Sequence, residues 1–261
     1  MTTLDRQNEA WVVVAGEEFA NVWRRGWGPF VLAGIAVVLS AVTIGLAYTT
    51  EINLLDAREG VAVIVKLSLG VGLLVALFTA ADSISGRRDR STLETHLLSP
   101  VAPRTLVAGS ALTALSWWAG TFVVSLPYLW ALGRGPGGWG TAIIVTLLLG
   151  VPMAIFLVAG GAFVSIRASS NLASLGTSGL ALALLAAPMA LPGAVVRGPV
   201  GNALHHIDPI TAGLRLIDAV VVNEAPLVDN LWWFASPVAA ALVMGFLVWR
   251  SAGNVELEPR S

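Results

Sequence analysis

The chain contains no cysteine, which removes disulfides, thiolate metal sites and thiol nucleophiles from its chemistry. Charge is scarce too: 12% of the 261 residues are Asp, Glu, Lys or Arg, against about 25% in an ordinary soluble domain. Its one lysine, Lys66, is followed by leucine. No Gly-x-x-x-x-Gly-Lys-[Ser/Thr] phosphate loop can therefore form, and ATP binding of the usual kind is excluded. The three histidines, His96, His205 and His206, all fall outside the long apolar runs. A membrane protease or metal-dependent membrane enzyme would want one within them. The same runs carry no carboxylate, whereas an ion-coupled transporter usually places acidic groups there. A net charge of −1 gives no footing for nucleic acid. Asp5, Glu9, Glu17 and Glu18 precede any apolar run, so no cleavable signal peptide is expected.

What the chain has in quantity is apolar sequence, 56% of its residues. A bilayer core about 30 Å thick needs roughly 20 apolar residues per helix. Six segments meet that length: 28–49, 61–81, 105–132, 140–166, 172–196 and 231–250. The expected fold is an all-α polytopic membrane protein, one permease-like domain over 1–261 with neither an internal repeat nor a soluble domain. With the N-terminus inside, ten of the fourteen arginines fall on the inner side and four on the outer. That asymmetry favours both termini in the cytoplasm and a multi-pass protein of the cell membrane.

Lys66 lies about one and a half turns from the outer end of the 61–81 segment. A charge inside a span is a functional candidate by default, yet at this depth the side chain can snorkel to the interface, so an anchor is expected. Residues 5–27 are too polar to span but carry Trp11, Ala15, Phe19, Val22 and Trp23 on one helical stripe. This predicts a helix lying flat in the inner interface as an anchor.

Between the second and third spans lies a basic, polar island from Asp82 to Arg104. Ser91-Thr92-Leu93-Glu94 has the form of a capping box, in which the Ser91 hydroxyl and the Glu94 carboxylate each satisfy the other's backbone amide. The helix runs to about Ser99 and is stopped by Pro100. Leu93 and Leu97 share one face with Leu98 beside them, and Pro103 suits the first turn of the next span.

The long connection 197–230 holds a second short helix. Asp208-Pro209 supplies an N-cap followed by proline at the first helical position. Ile210, Leu214, Ile217 and Val221 recur at helical spacing, which predicts about 13 residues of amphipathic helix half-dipping into the outer leaflet. Adjacent histidines on a helix point about 100° apart, and no cysteine backs His205 and His206, so a solvated rim is expected there rather than a metal site.

The run 82–104 resembles the loop between the second and third spans of ABC-2-type transporter permeases, I-x-G-E-R-E-x-G-T-L-E-x-L-L-x-x-P-x-x-R. Gly86, Arg88, Thr92, Leu93, Glu94, Leu97, Leu98, Pro100 and Arg104 fall on that pattern, with Asp89 at its second acidic position. Arg87 and Ser91 stand where the family usually has glutamate and glycine, and Ser110 replaces a frequent lysine. The stretch His206 to Arg215 is similar to a region of the permease that helps mature nitrous-oxide reductase, with the spacing off by one and aspartate for asparagine.

The resemblance implies an exporter. Two six-span subunits, alike or different, would pair, each coupling helix docking on a separate ATPase subunit that holds ATP and magnesium. Arg88, Asp89, Ser91, Thr92, Leu93, Glu94, Leu97 and Leu98 would meet that ATPase. Asp208, Pro209 and Arg215 would belong to the external re-entrant-type helix. This chain would itself be no enzyme and hold no cofactor. The apolar spans suit an amphiphilic or lipid-like cargo. The alternative is a non-transporting membrane scaffold or assembly factor, which would co-purify without an ATPase.

Overall fold

A computed structural model describes residues 16–17, 19–24, 26–49, 54–90, 103–134, 138–190 and 206–254. Every regular element among them is helical. Eight helices matter here: α1 (Gly28–Thr49), α2 (Leu54–Asp82), α3 (Ser85–Asp89), α4 (Pro103–Gly133), α5 (Trp139–Arg167), α6 (Asn171–Ala186), α7 (Pro209–Ile217) and α8 (Ala235–Ser251). Six of the described helices are long and apolar enough to cross a membrane. The chain is an all-α polytopic membrane protein. The coupling-type helix expected over Ser91–Ser99, with Leu93, Glu94, Leu97 and Leu98, lies outside the described residues, as do Trp11 and His205.

Burial sorts the spans. In α2 and α5, 56% of the most apolar window is buried, against 11% in α1, in the α6 span and in the α8 span. The second and fourth spans are therefore the axis of the bundle, and the first, fifth and sixth turn most of their surface outward. Polar sequence cannot cross lipid without internal partners, and the spans follow that rule. Thr121 and Thr146 donate to the carbonyls of Trp117 and Ala142, one turn back in their own helices. Tyr128 donates to the Ala36 carbonyl at 2.9 Å and pairs with the Ser40 hydroxyl, tying α4 to α1. Pro127 and Pro152 sit inside unbroken helices.

Small residues set how closely the axis helices approach, as is usual where lipid supplies no hydrophobic drive between helices. A Cβ added at Gly161 would stand 2.6 Å from the Leu77 carbonyl oxygen, so α5 approaches α2 backbone to backbone. One added at Gly150 would stand 2.5 Å from the Trp118 indole nitrogen on α4.

Two faces can be distinguished. On the arginine-rich face α2 ends at Asp82, and Ile84, Leu106, Val107, Ile166 and Ala252 close a small apolar cluster. The Arg104 guanidinium lies 5.2 Å from the Trp249 ring there, joining the start of α4 to the end of α8. The described part of the N-terminal stripe meets the protein rather than lipid alone. Trp23 packs 4.9 Å from Trp117, and its indole donates to Ser116 at 2.8 Å. On the opposite face α7 and a following π turn (Asp218–Val222) pack into the bundle.

Several limits differ from the hydropathy reading. α2 begins at Leu54, seven residues before the apolar run at 61, and the α-helix of the fifth span closes at Ala186 before a 3-10 turn to Ala190. The early start has a consequence: Lys66 is twelve residues, about 18 Å, along its helix. The residues that the early start adds include Arg58 and Glu59, so Lys66 stays five residues past the start of the apolar run at 61.

Candidate functional site

Two polar constellations stand out, one at each end of α2. On the face opposite the arginines, Asp208 caps α7. Its carboxylate accepts from the Thr211 amide at 2.8 Å and from the Thr211 hydroxyl, and only 8% of the residue is exposed. Pro209 occupies the first turn, as the sequence suggests. Ala212, Leu216 and Ile217 are buried within the bundle, so this helix rests on protein rather than dipping half-way into lipid. Its length differs from the expected 13 residues as well. Nine residues are α-helical, and the chain then widens into a π turn in which the Asn223 amide donates to the Asp218 carbonyl, five residues back. Single π turns inside helices are rare and recur at functional sites.

The first residue of that turn reaches Lys66. The Asp218 carboxylate accepts from the Lys66 ammonium at 2.5 Å. The sequence reading gave Lys66 no partner; here it has one, delivered by α7 instead of by a span. A signal for it exists in the sequence. Ile210, Leu214 and Asp218 stand four apart, so the acid lies on the apolar stripe itself, where a lone charge demands a partner. About two turns nearer the end of α2, Arg58 meets Glu224 at 2.6 Å. Glu224 adopts φ +57°, a left-handed conformation uncommon for a side chain other than glycine. Two ion pairs thus clasp α7 and its π turn to α2. Arg215 points away, its guanidinium 5.6 Å from the Trp233 ring. His206 stacks on Trp232 and Trp233 at 4.6 and 4.8 Å. Among the described residues no group of three His, Cys, Asp or Glu comes together to hold a metal.

At the other end, the start of the 82–104 loop is fastened to the turn between α5 and α6. The Ser165 hydroxyl, fully buried on α5, accepts from the successive amides of Ile84 and Ser85, each at 3.0 Å. The Ser174 hydroxyl donates to the Ala81 carbonyl at 2.7 Å, and the Asn171 side-chain amide donates to Asp82 at 2.7 Å. Asp82 also receives Arg90 at 3.1 Å. A Cβ on Gly86 would run into the Asp82 carboxylate, which gives this position a steric reason to be glycine.

Arg88 and Asp89, expected to face an ATPase, are turned to this turn as well. Arg88 donates to the Ala168 carbonyl, and the Asp89 carboxylate accepts from the Asn171 amide at 2.8 Å. Burial lowers the Arg88 guanidinium from its ordinary value, with the neighbouring Asp89 charge opposing the shift. Both side chains hold the root of the loop in place. The residues that carry the capping box, Ser91, Thr92 and Glu94, lie outside the described residues. No protein-family model and no curated protein matches this chain.

Proposed function

We propose that this chain is the membrane-spanning permease subunit of an ATP-driven transporter of the ABC-2 type, an exporter. A separate ATPase subunit, holding ATP and magnesium, would engage the 82–104 loop from the cytoplasm of a cell whose plasma membrane carries the six spans. A second permease, identical or paralogous, would complete the complex. The observation that carries this reading is the fastening of the loop root to two spans. A force on a free loop would be lost in its own bending. Here Ser165, Asn171 and Ser174 tie the residues just ahead of the loop to α5 and α6, and Asp82 ends the axis helix itself. A push on residues 91–99 then has a path into the bundle.

The resemblance of Gly86, Arg88, Thr92, Leu93, Glu94, Leu97, Leu98, Pro100 and Arg104 to the family's loop pattern supports the same reading. In it, Leu93 and Leu97 insert into the ATPase, while Arg88 and Asp89 act from behind as positioning residues. The test is reconstitution with the ATPase that co-purifies from native membranes. Leu97→Glu should abolish permease-dependent stimulation of ATP hydrolysis while membrane insertion and melting temperature stay unchanged. Stimulation at the wild-type level in that variant would sink the assignment, and so would purification of the intact complex with no ATPase in it.

A further inference from the structure

Asp218 stands in the wall between two cavities, one almost wholly apolar and one of mixed lining. One, about 570 Å³, lies among α2, α5, α6 and α7. Its described lining is apolar side chains and glycine throughout, Leu73, Met153, Leu157 and Leu182 among them, except for Lys66 and Asp218. The other, about 440 Å³, lies on the far side of α7 and is lined by Thr211, Arg215, Asn223 and Trp233. Met189, Leu214 and Asp218 belong to both. Chambers of this size are usual for small-molecule sites, which pair a mainly apolar wall with a few placed polar groups.

The charges say what kind of head such a ligand carries. Lys66 and Arg215 contribute two positive charges and Asp218 one negative. Arg215 is exposed and makes no ion pair among the described contacts. The junction therefore carries a net positive charge between a cavity of mixed polar and apolar lining and an oil-like one. From this juxtaposition we infer that the paired cavities bind one acyl chain bearing an anionic head. The chain fills the α2–α5–α6 chamber, and the carboxylate or phosphate head reaches past Asp218 into the second cavity, against Arg215 with Trp233 beside it. Aromatic rings at such a boundary suit an amphiphile, one end dry and the other wet. The site belongs to this chain alone. Its test uses no ATPase, and its outcome leaves the permease reading untouched.

The structure also provides a clean way to close the chamber. Gly70 lines it, and a Cβ added there would meet nothing within 4 Å. Gly70→Phe starts from a Cβ in open space and places a ring at the chamber wall, and phenylalanine is a better helix former than glycine. The probe is cis-parinaric acid, a fluorescent fatty acid, added to the purified full chain in nanodiscs and read by energy transfer from tryptophan. Expected is saturable binding, weakened at least tenfold by Gly70→Phe. Lysophosphatidic acid should displace the probe, whereas a neutral monoacylglycerol of the same chain length should displace it at least tenfold less well. In Arg215→Gln that preference should shrink to less than threefold.

Displacement by lysophosphatidic acid well below the concentration of free fatty acid needed would assign the head to phosphate, and the reverse order to carboxylate; both support the site. Binding unaltered by Gly70→Phe in a monodisperse protein would overturn it, because the probe would then sit in the bilayer or elsewhere. Equal displacement by the neutral lipid would overturn the anionic head. Should Gly70→Phe fail to purify as a monodisperse species, Gly70→Leu and Arg215→Gln carry the same two outcomes.

Discussion

The Lys66 ammonium lies 2.5 Å from the Asp218 carboxylate, although 152 positions separate them in the chain. One charge comes from a membrane span and the other from a helix that only re-enters the bundle. Removing either partner leaves the other, partly buried, without its ion-pair partner. Lys66→Met and Asp218→Asn should each lower stability by about 1–3 kcal/mol, the usual range for losing a charged hydrogen bond. The double variant should recover more than half of the summed loss, because no charge is then left alone. Melting temperatures of the four proteins in one detergent check this, and simple additivity would mean that the two groups do not interact.

Ser165 offers a different kind of target. Its hydroxyl oxygen accepts two consecutive amides, so Ser165→Ala orphans two buried donors with one substitution. A loss of about 1–3 kcal/mol is expected. Faster hydrogen exchange should appear at 83–90, with the opposite face unchanged. Uniform exchange in the variant would show that the loop root is not held by this contact.

Two glycines should respond in opposite directions. Gly161→Ala forces a methyl against the Leu77 carbonyl at 2.6 Å and should cost about 1–3 kcal/mol through a forced shift of α5. Gly70→Ala meets open space in the middle of α2 and should stabilise by about 0.5–1 kcal/mol. Thermal melts of the two variants settle the pair, and a shared sign would contradict the packing described for the axis helices.

Asp208→Ala removes the side-chain cap of α7 and should destabilise by about 0.5–2 kcal/mol. The effect should be local, with exchange rising over 209–217. Asp208→Asn keeps an acceptor and should retain most of the protection. A global loss of structure in both variants would point to a role for the carboxylate beyond capping.

The absence of cysteine makes the orientation directly measurable. Ser169 and Asp229 are exposed at opposite faces. In intact cells an impermeant maleimide should label Asp229→Cys at once and Ser169→Cys only after the membrane is opened. The reverse pattern would turn the chain over and place the 82–104 loop outside.

Much of this fold was legible in composition, because a helix that must bury all of its backbone polar groups in lipid declares itself as a long apolar run. The cap at Asp208-Pro209 was legible for a related reason: both residues act within one turn of where they stand. The Lys66 partner was harder. It lies in a connection that counts as external by hydropathy, and folding that connection back into the bundle is a tertiary event. The contacts of Arg88 and Asp89 were hidden in a similar way: the turn at Ala168–Asn171 offers a carbonyl and an amide that no local pattern announces, and Asp89 reaches that amide while staying exposed. Span limits drifted where polar residues such as Arg58 and Glu59 continue a helix past its apolar part.

The third and fourth spans each carry a proline, but the second, Leu54–Asp82, carries none. This one uninterrupted helix is engaged at two points, Asp82 by Asn171 and Lys66 by Asp218. The sixteen residues between them span about 24 Å. With no hinge to absorb motion, the helix behaves as a stiff lever. A tilt of about 5° pivoting at one end carries the other by about 2 Å over that length. That travel is comparable to the ion-pair distance itself, so a rocking movement too small to reshape the bundle is enough to unlock the far clasp.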